Sequence, residues 1–269
     1  MKNVFGYPEF DAEGEEILCT YDNAYSDMLM DIRVYRMEPG RKRDFCRRGE
    51  ETAVLLLSGT VTFGWEGRTE TVSRRDVFTD GPYALHACAG EEITVEAQTD
   101  AEILVQCTKN DTAFSGRLYR PEDAPWVYSC VGKFGNVAKR RVNTIFDKDI
   151  APWSNMVLGE VLNFPGKWSS YPPHHHPQPE VYFYRFDHPE GFGAGFGNGE
   201  IYKTRHNGIS IINHGFHSQA AAPGYAMCYM WGIRHLPGDP WRKTRIDDPE
   251  HAWLWAPDAN EHIFHMEDE

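Results

Sequence analysis

The residues with the most chemical content lie in one run, Trp168-Ser-Ser-Tyr-Pro-Pro-His174-His-His176-Pro-Gln-Pro-Glu180-Val-Tyr-Phe-Tyr-Arg185. Side chains alternate faces along an extended chain, so His174 and His176 share one side and His175 points away. Glu180 opens the aromatic, β-rich segment Val181-Tyr-Phe-Tyr184, which reads as the next strand. Two imidazoles and a carboxylate brought across neighbouring strands make a half-built site for a divalent metal. Completing it takes a third histidine at a tight turn late in the chain, and His217, after His214-Gly-Phe216, fits that place.

The rest of the sequence supplies strands to hold such a site. Asp31-Ile-Arg-Val-Tyr-Arg-Met alternates apolar and polar residues, and Ala53-Val-Leu-Leu-Leu is a short apolar run suited to a buried strand. Ser58-Gly59 and Glu66-Gly67-Arg68 read as turns between further short strands up to Cys107. Residues 109–130 break the pattern, so two units are expected, 1–120 and 121–269. Arg140-Arg-Val-Asn-Thr-Ile-Phe and Met156-Val-Leu-Gly-Glu-Val-Leu-Asn-Phe begin a second set of strands. Gly191-Phe-Gly-Ala-Gly-Phe leaves room for a ligand or a neighbouring backbone, and Asn198-Gly199 is a two-residue hairpin signal. A short helix is expected after Asp247, near the end. Many short strands with almost no helical period indicate an all-β protein of two sandwiches or small barrels.

Bulk properties narrow the partners. Forty acidic residues against 27 basic ones give a formal charge of −13, which argues against nucleic acid or an anionic membrane surface. A small acidic substrate remains compatible, because a local basic pocket can oppose the global sign. No stretch approaches the roughly 20 apolar residues of a membrane span. The six cysteines are scattered without a CxxC pair, and the N-terminal residues lack an apolar signal core. Free thiols in a cytoplasmic protein are expected.

The order His-x-His, then Glu, then a glycine-led strand and a last His resembles the two-part metal motif of the cupin superfamily, whose members are jelly-roll β domains. Pro165-Gly-Lys-Trp-Ser-Ser-Tyr-Pro-Pro-His174-His-His176, Pro189-Glu-Gly-Phe192, Gly215-Phe-His217 and Ala222-Pro-Gly-Tyr225 narrow it further. With Pro121-Glu-Asp123, Gly132-Lys133 and Asp248-Pro-Glu-His-Ala-Trp253, they resemble the 5-deoxyglucuronate isomerase family of inositol catabolism. That family is related to the 5-keto-4-deoxyuronate isomerases. Two features depart from the inositol-pathway pattern: the loop Pro177-Gln-Pro179 is shorter, and His175 stands where that family carries Lys.

The resemblance implies a bicupin, two tandem jelly-roll β-barrels with few short helices, in which His174, His176, Glu180 and His217 bind one divalent metal ion. Zinc is expected there, with manganese and iron(II) also compatible with three nitrogens and a carboxylate. The first half has no matching set and would be an empty barrel. The implied reaction is aldose–ketose isomerisation of a deoxyuronate, 5-deoxyglucuronate first and 5-keto-4-deoxyuronate or a related uronate second. The metal polarises carbonyl and hydroxyl oxygens, and a base moves a proton between adjacent carbons. Alternation puts Tyr182 and Tyr184 on the face of Glu180, making these three the catalytic candidates. Arg185, Lys203 and Arg205 are candidates for the substrate carboxylate, and Tyr229 for a hydrogen bond to substrate. An iron-dependent oxygenase and a non-catalytic sugar-binding bicupin are the competing functions. A sugar acid as small-molecule partner and a homo-oligomer complete the expectation.

Overall fold

A computed structural model describes residues 4–264. The alternating segment forms the strand Asp31–Met37. The apolar run at 53–57 is the buried centre of a much longer strand, Glu50–Trp65. Ser58-Gly59 is a corner inside that strand rather than a turn that ends it. Up to Ser58 the strand pairs with Ala101–Lys109 and, over part of its length, with Tyr83–Ala87. From Gly59 it pairs with Arg68–Arg74 and Ile93–Ala97. Gly59 has φ 97°, and a Cβ there would stand 2.4 Å from the Asp100 carbonyl oxygen. Only glycine fits such a close approach. One strand therefore belongs to both walls of the first barrel, whose interior is apolar and includes Val54, Leu56, Phe63, Val95 and Ile103.

The second half closes a barrel from two sheets. A seven-stranded sheet contains, in order, Phe5–Gly6, Ile209–Ile212, Glu180–Phe186, Met227–Arg234, Met156–Asn163, Arg140–Phe146 and Val127–Ser129. A five-stranded sheet contains Glu200–Arg205, Phe192–Gly197, His217–Ala221, Trp168–His175 and Ile246–Asp247. Asn198-Gly199 is the expected two-residue hairpin, with φ 53° and 78° at its two positions. Among the described residues, three short 3-10 segments and the short helix Ala259–His262 add little; Asp248 caps the turn Pro249–Trp255 by accepting from the Glu250 N–H. Among the described residues no helix is long and apolar enough to cross a membrane.

Strand Arg117–Tyr119 pairs with Tyr83–Ala87, whereas Val127–Ser129 pairs with Arg140–Phe146, so the chain changes barrel between them. The first strand breaks this division. Phe5–Gly6 pairs with Ile209–Ser210 of the second half. The halves share a core in which Ile32, Leu55 and Leu104 are in one cluster with Leu158, Phe183 and Met230. Across it, Arg74 Nη1 and Nη2 donate to Glu160 Oε1 and Oε2 at 2.7 and 2.8 Å, with both side chains inaccessible to water. Paired guanidinium–carboxylate geometry is what makes such burial tolerable.

Candidate metal centre

Two irregularities aim the histidines. The strand Trp168–His175 faces His217–Ala221 in register at Ser169↔Gln219, loses register, and regains it at His174↔His217. Pro172 and Pro173 lie in that interval and have no N–H to offer the ladder. Ser170 has φ 52°. The bulge re-aims the chain so that His174 comes directly opposite His217, a use bulges commonly serve beside functional sites. The rings of His174 and His217 lie 4.4 Å apart between centroids.

His176, Glu180 and His217 converge, their candidate ligand atoms all within 4.8 Å of one another. His176 Nε2 is 3.2 Å from Glu180 Oε2, and His217 Nε2 is 3.5 Å from the same oxygen. Two backbone carbonyls fix ring orientations. His176 Nδ1 faces the Gln178 carbonyl at 2.9 Å, and His174 Nδ1 faces that of Ser170 at 3.2 Å. With those nitrogens protonated, each ring keeps an Nε2 lone pair, the arrangement that a metal-bound histidine needs. Burial, aided by the charge of Arg245, pushes His174 down to about 3, and burial pushes His217 well below the ordinary histidine range. Both are therefore neutral, as ligands must be. Neither nitrogen of His217 has a hydrogen-bond partner although the ring is 1% exposed. A buried, neutral, unpaired imidazole facing a carboxylate and a second imidazole fits a divalent cation. Among the described residues the first half has no such group.

Beside these residues lies a cavity of about 180 Å³, bordered by His174, His176, Glu180, Ser170, Tyr182 and Tyr229. The rings of Tyr182 and Tyr229 are 4.4 Å apart, and their hydroxyls reach Ser170 Oγ at 3.2 Å and Ser169 Oγ at 3.1 Å, respectively. Burial raises both phenols, so both keep their protons. Val142, Val161, Trp231 and Trp241 supply apolar wall, and Arg140, Lys243 and Arg245 supply positive charge.

Other expected site residues lie elsewhere. Tyr184 is on the expected face but deeper, where its hydroxyl bonds Ser210 Oγ and donates to Gln219 Oε1 at 2.7 Å, and it does not border the cavity. Arg185 is on the opposite face of its strand. Its Nη2 is 3.0 Å from Glu102 Oε2 and its Nη1 3.1 Å from His206 Nε2, in the junction between the halves. Lys203 and Arg205 are exposed, with their charges over the rings of Phe192 and Tyr7. The cations that do border the cavity come from strand Arg140–Phe146 and from the segment after Arg234. Nothing in the local pattern of either marks them, because their approach depends on strand pairing and on a chain return far along the sequence.

A family model described as the KduI/IolB family matches residues 7–254. A 5-deoxy-glucuronate isomerase from Geobacillus kaustophilus is 27% identical, over 83% of this chain and 84% of that protein. One from Bacillus licheniformis is 23% identical over 90% of this chain and 94% of its own. Among solved structures, an IolB-like protein from Salmonella typhimurium LT2 superposes with TM-score 0.84 at 19% identity, covering 94% of this chain and 100% of that one. An oxalate decarboxylase from Lactobacillus farciminis gives TM-score 0.67 at 11% identity, over 92% and 89%. The architecture is thus the all-β bicupin expected from the sequence. On a match that spans nearly its whole length, this chain belongs to the KduI/IolB family.

Proposed function

We propose that the protein is a metal-dependent aldose–ketose isomerase that converts 5-deoxyglucuronate to 5-dehydro-2-deoxygluconate, a step of myo-inositol catabolism. The observation that carries the metal dependence is the convergence of His176, Glu180 and His217 beside a cavity also bordered by two protonated tyrosines. The relatives named 5-deoxy-glucuronate isomerase, aligned over most of both chains, support the substrate.

His174, His176, Glu180 and His217 would hold the ion, zinc by preference and manganese or iron(II) by the same donor set. When bound, it would act as a Lewis acid toward the substrate's carbonyl and neighbouring hydroxyl. The chain's own groups do the proton work. A Glu180 carboxylate oxygen takes the proton from the carbon bearing the hydroxyl, leaving an enediol, and returns it to the former carbonyl carbon. The oxygen-bound proton moves the other way, so substrate and product differ only in where hydrogens sit. Tyr182, which burial holds protonated, donates a hydrogen bond to the oxygen that gains negative charge. Tyr229 braces Tyr182 through ring contact and a shared approach to Ser170. Trp231, Trp241 and Val161 limit water around the enediol.

The test is metal analysis of purified protein followed by proton NMR with 5-deoxyglucuronate and 5-keto-4-deoxyuronate in deuterated water. Conversion of 5-deoxyglucuronate with deuterium entering beside the carbonyl is expected. Oxygen consumption, or no reaction with either acid in metal-replete protein, would overturn the reading.

A further inference from the structure

A sugar acid brings its own negative charge, and the cavity offers three cations of different standing. Lys243 Nζ lies 3.0 Å from Asp147 Oδ2. Arg245 donates Nε to Asp247 Oδ1 at 2.7 Å and Nη2 to the Pro172 carbonyl at 2.8 Å. Arg140 differs from both. No carboxylate of the described residues lies within ion-pair distance of it, although it is only 8% exposed. A guanidinium this enclosed, with its unpartnered edge on a cavity, favours an opposite charge there.

Its hydrogen bonds show which edge is available. Nη1 donates to the Ala138 carbonyl at 3.1 Å and to Cys130 Sγ at 3.3 Å, and these fix the plane of the group. No described residue accepts from Nε or Nη2. Those two nitrogens form an edge that matches the two oxygens of a carboxylate. Arg140 opens the strand Arg140–Phe146, and Val142, two residues on and so on the same face, also borders the cavity. Val142 pairs with Val161, which pairs with Tyr229, so one continuous wall carries Arg140 toward the tyrosines. The positive charge is felt there, since Arg140 opposes the upward shift of the Tyr229 phenol.

We infer that Arg140 is the carboxylate anchor of this cavity, holding the acid end of an open-chain sugar acid through Nε and Nη2 and so selecting uronates over neutral aldoses. The assignment of the opposite end of the ligand to the metal centre rests on the isomerase reading; the anion subsite itself does not. Arg140 replaces Arg185, Lys203 and Arg205 in that role.

The test measures binding of 5-deoxyglucuronate, and of the neutral aldose with hydroxymethyl in place of carboxylate, to metal-loaded protein by equilibrium dialysis. Both isomers of the acid keep the carboxylate, so turnover does not disturb the readout. Wild type should bind the acid at least about tenfold more tightly than the neutral sugar, as a charge-assisted pair implies. Arg140→Met should weaken acid binding by roughly 30-fold and leave the neutral sugar and the metal content unchanged. Arg140→Lys should fall between, because it keeps the charge and loses the paired geometry. Acid binding within about threefold of wild type in a folded Arg140→Met protein would overturn the proposal. So would a wild type with no preference for the acid. Should Arg140→Met not fold, the wild-type preference and Arg140→Lys decide. Arg140-dependent binding of the acid without deuterium uptake would overturn the isomerase reading and leave the anchor standing.

Discussion

His176 Nε2 and Glu180 Oε2 stand 3.2 Å apart at the two ends of Pro177-Gln-Pro179, while the carbonyl of Gln178, in that same loop, faces the other nitrogen of His176. A loop of three residues thus sets both the spacing of two proposed ligands and the tautomer of one. His176→Ala and Glu180→Ala should each lower metal affinity by about 100-fold or more, because on the proposed reading each removes a direct ligand, where loss of a mere supporting partner costs 10–100-fold. Equilibrium dialysis against buffered zinc reads this directly. Stoichiometric metal retained by either variant at wild-type affinity would remove that residue from the centre.

Tyr182 and Tyr184 share a strand face and have different prospects. Tyr182→Phe should lower kcat by roughly 10²-fold or more with little change in KM, as expected for loss of a positioned hydrogen-bond donor to developing negative charge. Tyr184→Phe should leave kcat within a few-fold and cost about 1 kcal/mol of stability, because its hydroxyl serves Ser210 and Gln219. Steady-state kinetics together with urea unfolding separate the two. Equal kinetic losses in both variants would contradict the depth difference between them.

Arg185 is buried between the halves with Glu102 and His206. Arg185→Met should leave KM for the sugar acid unchanged and destabilise the protein by about 2 kcal/mol, since Glu102 and His206 lose a charged hydrogen-bond partner while Arg36 still reaches Glu102. A shift of the urea midpoint with unchanged KM is the expected pair of results; a raised KM with unchanged stability would return Arg185 to the substrate.

Glu16 offers a pH-dependent contrast. Both its carboxylate oxygens are buried without a hydrogen-bond partner, and burial pushes its carboxyl up to about 8, against the opposing charges of Arg185 and Arg36. The folded protein holds a proton that the unfolded chain releases near 4.5, so folding stability falls as pH rises from there through about 8. Glu16→Gln removes that loss. Its advantage over wild type should be small near about pH 5 and several-fold larger near about pH 9. Urea midpoints at the two pH values decide it, and an equal difference at both would show that Glu16 is already ionised in the fold.

The residues proposed to hold the metal could be singled out because their spacing is local, although the group that converges is His176, Glu180 and His217, with His174 beside it. His174, His176 and Glu180 lie within seven residues, and alternation assigns their faces. Alternation also puts Tyr182 inside and Arg185 outside. It gives a face and not a depth, which is why Tyr184 carries the same pattern as Tyr182 and ends below the cavity. Register and chain return were not legible. The bulge that brings His174 opposite His217, and the loop that delivers Lys243 and Arg245, follow from pairings between distant segments. Arg140 was hidden for the same reason. Of the adjacent pair Arg140-Arg141, one faces the cavity and the other donates to the Phe78 carbonyl outside, and only the barrel's closure decides which.

The pairing of Phe5–Gly6 with Ile209–Ser210 makes the chain a clasp. The polypeptide leaves the second barrel after its first strand, builds the whole first barrel, and returns to complete the second. A protease cut at residues 111–116, where the chain passes out of the strand Ala101–Lys109, would therefore yield two fragments that still hold each other through a shared β-ladder. The barrels are separable in sequence only by giving up an edge of the sheet that carries Glu180.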